Sequence, residues 1–132
     1  MKKKKILTST LCAVGLLVSA SMASAGTSAI TYSKELPRLS GNISLATGEK
    51  DNNSKSKVIN SVVGSTYTAN MWIVDADGDK VSATATKVTD SDTRQFTVDE
   101  SAVGDDVTLK ADNTSSTIVK VEISGKFYPD TK

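Results

Sequence analysis

Asp75-Ala76-Asp77-Gly78-Asp79 sets three carboxylates at alternate positions, a spacing of hard oxygen ligands that suits calcium. A helix-flanked calcium loop counted from Asp75 would need Gly where Lys80 stands and Glu where Thr86 stands. Both flanks also read as strands. The expectation is therefore a tight acidic hairpin, with Asp75, Asp77 and Asp79 kept as calcium candidates. Further carboxylates occur at Asp90, Asp92, Asp99, Glu100, Asp105 and Asp106. Two carboxylates held roughly 5–10 Å apart across a cleft can cleave a glycosidic bond. Here they fall in turn-rich segments, where turn formation and solubility account for them. No Gly-x-Ser-x-Gly elbow sets a serine on a strained turn.

The residues after the leader contain neither His nor Cys, because Cys12 is the only cysteine and the chain has no histidine. That removes the commonest general base, the usual partner of a nucleophilic Ser and the thiolate–imidazole zinc sites. No cofactor is expected, and no catalytic residue can be named. No disulfide framework can hold the fold, so stability must come from an apolar core. That core is lean, with one Trp, two Phe and three Tyr in the whole chain.

The elements that must position any site begin after an export leader. Lys2–Lys5 form a positive cluster, Ile6–Ala20 an apolar run, and Ala23-Ser24-Ala25 a small-residue exit before Gly26. This three-part layout predicts a signal peptide over 1–25, and a secreted, extracellular domain over 26–132 with no membrane anchor once the leader is cut. The polar interruptions at Thr8, Ser9 and Thr10 make the run unsuitable as a spanning helix. Cys12 lies inside the apolar run, where a lipid-attachment cysteine would not be. Losing the four leader lysines from sixteen basic residues leaves twelve against fifteen acidic ones. The secreted part is mildly acidic and lacks a basic run, so no nucleic-acid partner is expected.

The same part shows no sustained helical period. Val107, Leu109 and Ala111 alternate with Thr108, Lys110 and Asp112. Val119, Val121, Ile123, Gly125 and Phe127 alternate with Lys120, Glu122, Ser124 and Lys126. With turn residues Asn113–Ser116 between them, 106–127 reads as a C-terminal hairpin. A second hairpin joins Met71–Val74 to Lys80–Ala85 through a two-residue Asp77-Gly78 turn. In that register Val74 faces Val81 and Trp72 faces Ala83, which puts Trp72 in the core. Further strands are expected at 30–35, 42–46, 57–63 and 94–98. The prediction is all-β: a single antiparallel β-sandwich of seven or eight short strands, or a flattened barrel. Residues 47–56 read as the most polar and mobile loop. Trp72, Tyr67, Phe127 and Tyr128 are the aromatic candidates for carbohydrate stacking. With Trp72 assigned to the core, Tyr128, just past the last strand, is the exposed ligand-binding candidate.

The Lys-rich opening, the Gly64–Val74 stretch and the ending Val107–Asn113 with Ile123-Ser124-Gly125-Lys126-Phe127-Tyr128-Pro129-Asp130-Thr131 resemble a family of small secreted β-rich proteins of Gram-positive bacteria that carry a domain of unknown function. Members end in an acidic, Asn-rich turn and a strand running into Ser-Gly-Tyr-Trp; here Lys126-Phe127-Tyr128-Pro129 departs from that pattern. The resemblance implies export and sandwich architecture, with no catalytic residue to carry over. The expected function is a non-enzymatic binding module for an extracellular or cell-wall ligand. The alternatives are a bacteriocin-like antagonist or its extracellular protector and, more remotely, a small carboxylate-dependent hydrolase.

Overall fold

Alternating Val, Ile and Leu with Thr, Ser and charged residues yields strands with one dry face and one wet face. The computed structural model describes residues 25–38, 41–64, 67–113 and 120–132, so the leader predicted over 1–25, apart from Ala25, the turn predicted at 114–116 and Val119 lie outside the described residues. Among the described residues the strands are β1 (Ile30–Leu36), β2 (Asn42–Glu49), β3 (Ser56–Val63), β4 (Ala69–Val74), β5 (Ala85–Val88), β6 (Asp92–Phe96), β7 (Asp106–Asn113) and β8 (Val121–Tyr128). Short 3-10 turns occupy Ala25–Thr27 and Glu100–Ala102. No helix among the described residues is long and apolar enough to cross a membrane.

Two antiparallel four-stranded sheets pack face to face. The first has the order β1-β8-β3-β6, the second β2-β7-β4-β5. Strands pair first with last and inward from there: β1 with β8, β2 with β7, β3 with β6 and β4 with β5. This nesting is the jelly-roll form of the β-sandwich. The first sheet contributes Tyr32, Leu36, Val58, Val63, Phe96, Ile123 and Phe127 to the core, and the second Leu45, Met71, Ile73, Val88, Val107 and Leu109.

Two expected pairings are corrected. β7 and β8 do not form a hairpin: β7 lies between β2 and β4 in one sheet, and β8 between β1 and β3 in the other. Alternation marks a strand's two faces but not its partner. The Asp77-Gly78 turn is real but longer. Val74 bridges Lys80, the Asp75 amide donates to the Asp79 carbonyl, and Gly78 adopts a φ of 90°. Three residues, Ala76–Gly78, form the loop, with Gly supplying the left-handed position. The pairing moves by one residue, and in a strand one residue exchanges the faces. Trp72 therefore leaves the predicted core for the outer face, while Met71 and Ile73 are fully buried.

One polar row crosses the core side of the first sheet. Tyr32, Gly125 and Asn60 are direct cross-strand partners on β1, β8 and β3. Because Gly125 has no side chain, the Tyr32 hydroxyl reaches over it and donates to Asn60 Oδ1 at 2.8 Å. Asn60 in turn donates to the Thr89 carbonyl at 2.8 Å, fixing the approach to β6. Burial pushes the Tyr32 phenol well above its ordinary pKa, so it is a neutral donor at all working pH values. A Cβ on Gly125 would overlap the Ile59 carbonyl and stand 2.6 Å from the Tyr32 hydroxyl. Tyr32→Phe is expected to lose about 1–3 kcal/mol by leaving Asn60 Oδ1 dry and unpaired. Gly125→Ala should lose at least about as much, through overpacking against backbone. Urea unfolding of the two variants checks this, and a neutral Gly125→Ala would contradict the packing.

Candidate functional site

The outer face of the second sheet carries the most chemistry. Cross-strand register sets three rows there: Asn42, Asp112 and Asn70; Ser44, Lys110 and Trp72; Thr47, Thr108 and Val74. Trp72 is partly exposed in the middle row, between flanking rows rich in hydrogen-bonding groups. Asn70 Nδ2 donates to Asp112 Oδ1 at 3.0 Å, and the Thr47 and Thr108 hydroxyls are 2.8 Å apart. Both contacts pre-order the face around the indole. Desolvation raises the Asp112 carboxyl above its ordinary pKa, against the lowering effect of the Asn70 hydrogen bond. The arrangement sets a partly exposed indole among donors and acceptors, a mix that suits a ligand with both C–H groups and hydroxyls.

The three hairpin aspartates do converge: carboxylate oxygens of Asp75, Asp77 and Asp79 lie within 4.8 Å of one another. Local hydrogen bonds explain part of that closeness. Asp75 Oδ1 accepts the amides of Asp77 and Asp79, both at 2.9 Å, which is the side-chain turn that Asp favours. The loop is solvated, with Asp77 and Asp79 exposed. Calcium takes six to eight oxygens, and this cluster supplies carboxylates from one short loop only.

The aromatic candidates are dispersed. Phe127 is fully buried in the core. Tyr128 is the last residue of β8, on the outer face of the opposite sheet, where Lys57 Nζ sits 4.6 Å from its ring centroid. The cation covers Tyr128, so the residue expected to be exposed is only partly so. Tyr67 is exposed just before β4.

Two of the loop carboxylates hold backbone: Asp92 caps its own turn, and Asp90 ties that turn to β3. Asp90 Oδ1 accepts the Val63 amide. Burial alone would raise the Asp92 carboxyl, but the Arg94 guanidinium at 3.0 Å and the Thr89 and Thr93 amides hold it below its ordinary pKa. One acidic pair escaped the sequence reading: Glu35 and Glu122 stand opposite each other across β1 and β8. They border a concavity of about 330 Å³ that Ser33, Val62 and Ser124 also line. Lys120 Nζ, 3.9 Å from Glu35, offsets their repulsion, and the pair is open to water.

The 47–56 segment departs most from expectation. β2 continues through Glu49, and Lys50 is fully buried. Its ammonium pairs with Asp130 Oδ1 at 2.8 Å and donates to the carbonyls of Pro129, at 3.0 Å, and Ser54. Asp130 Oδ2 accepts the Asp51 amide at 2.7 Å. A polar stretch in sequence is thus a fixed turn tied to the chain end. Nothing in the local pattern around Lys50 signals its burial, because its partner lies 80 positions away.

No family model matches the chain, and no curated protein matches it. A solved structure of infectious bursal disease virus, Gx strain, aligns at 14% identity with a TM-score of 0.30, covering 78% of this chain and 30% of that one. The chain thus spans less than a third of the viral protein's length.

Asp75→Asn keeps an oxygen acceptor for the two turn amides and is expected to leave stability unchanged, whereas Asp75→Ala should lose about 1 kcal/mol. Urea unfolding without calcium reads this directly. Equal losses in both variants would mean that the carboxylate charge, not the turn, sets the hairpin.

Proposed function

We propose that the chain is a secreted, non-enzymatic binding module that holds an extracellular or cell-wall glycan on the outer face of the β2-β7-β4-β5 sheet. The supporting observation is the position of Trp72, partly exposed between rows of Asn, Asp, Ser and Thr. An indole on a solvated sheet face loses hydrophobic stabilisation that the core would have supplied. Stacked against the C–H face of a sugar ring it recovers that loss, while Asn70, Lys110 and Asp112 bond the ring hydroxyls. Aromatic anchors surrounded by polar contacts are the usual centre of a binding surface. The leader motif supports the extracellular address.

The test is co-sedimentation of the secreted protein with stripped Gram-positive wall sacculi. Trp72→Ala is expected to reduce pelleting at least about tenfold, the loss of one anchor of about 1.4 kcal/mol or more. Its stability should change by only about 1 kcal/mol or less, as for other surface positions. Trp72 is the only tryptophan, so its emission should also shift as wall fragments bind. Unchanged pelleting by Trp72→Ala, or no pelleting of the parent protein, would sink the proposal.

A further inference from the structure

Gly26 is buried, although sequence marks it as the first residue after the leader. Its amide nitrogen is 3.0 Å from Asp51 Oδ2, and its carbonyl accepts the Asp130 amide at 2.7 Å. A Cβ at this position would overlap Asp130 Oδ2 and stand 2.9 Å from Asp51 Oδ2, so only glycine fits. Asp130 is itself paired with the buried Lys50. Lys50 is matched by Asp130, whereas the exposed Asp51 meets residue 26 of the uncut chain only through a neutral amide.

We propose that the Ala25–Gly26 amide bond is a processing site whose product is part of the fold, the freed Gly26 α-ammonium forming an ion pair with Asp51. Water adds across the bond under a leader-removing endopeptidase. Ala25 keeps the carboxylate, and the Gly26 nitrogen takes the proton and becomes cationic. The cluster then holds two cations, the α-ammonium and Lys50, against two anions, Asp51 and Asp130. Glu49, Lys55 and Lys132 are the exposed charged residues at the neighbouring end of β2, in the β2–β3 turn and after β8. Gly26 already holds this docked place while joined to Ala25, and cutting during export would add the charge to the same geometry. The inference rests on the export reading above, and it explains the glycine that follows the Ala-x-Ala exit.

The sign of the pH dependence follows from the pairing. An α-amine titrates near 7.7–8.0 when free; the Asp51 carboxylate raises that value in the folded state against the lowering effect of burial at Gly26, and the proposed pairing requires the first to win. The added stability is complete below about pH 7.7 and is lost as pH rises through the raised folded value.

The full-length precursor is expressed with its leader in an exporting Gram-positive host, and the secreted product is weighed intact. A mass starting at Gly26 is expected. Absence of product, or a different terminus, would overturn the export reading and this inference together. With the terminus at Gly26, an aldehyde probe selective for α-amines should label the native protein at least about tenfold more slowly than the unfolded protein. The melting temperature should fall by about 2–5 °C more between pH 7 and pH 10 than that of Asp51→Asn. Gly26→Ala, which keeps the charge but not the fit, should label at the unfolded rate. Free labelling of the parent, together with a pH profile shared by Asp51→Asn, would overturn the docking while leaving export intact.

Discussion

The structure turns on one buried ion pair, Lys50 with Asp130, in which neither side chain is exposed to solvent. Removing two charges from water costs several kcal/mol per ion, and the cost is offset only if every proton and lone pair finds a partner. Here the ammonium has three acceptors: the Asp130 carboxylate and two carbonyls. The Lys50 backbone also binds the segment before β7, donating to Asp105 and accepting from Gly104. One residue thus fastens the β2–β3 turn, the entry to β7 and the end of β8. Gly26 joins the same cluster through Asp130. The segments before β1 and after β8 are held together in this way, by charge at the margin of the core.

With the ends fixed, the two sheets can differ. The first carries the Tyr32–Gly125–Asn60 row inside and charged residues outside, among them Lys57 over Tyr128. Lys34 occupies a core-facing register on the edge strand β1, opposite Ile123, yet remains exposed. A charge in that place discourages another strand from adding to the edge. The second sheet ends at β5, where the pairing with β4 is irregular and Lys87 has a φ of 56°, and its outer face carries Trp72.

Much of the fold was legible in the sequence. Alternation located β1, β2, β3, β6, β7 and β8 to within a few residues, and the all-β sandwich followed from their number and polar turns. Strand partners were not legible, because alternation carries a face and no address; β7 and β8 were read as one hairpin for that reason. Trp72 was misplaced by a single-residue difference in loop length. Its true face was available from Asn70, which shares Trp72's parity and would have been buried by the predicted register. The turn at Asp75–Asp79 is legible from its Asp-Gly pair, while the convergence of the three carboxylates follows from the turn's geometry. Lys50 and Asp130 gave no signal, since their meaning lies only in their meeting.

The most direct measurement is a double-mutant cycle on that meeting, with Lys50→Met, Asp130→Leu and the pair together, read by urea unfolding. Each single variant leaves one charge buried and unpaired and is predicted to lose about 3–5 kcal/mol. The double variant should recover a large part of that loss, giving a coupling of about 1–3 kcal/mol. Strictly additive losses, or single variants as stable as the parent, would contradict the claim that this pair fastens the sandwich.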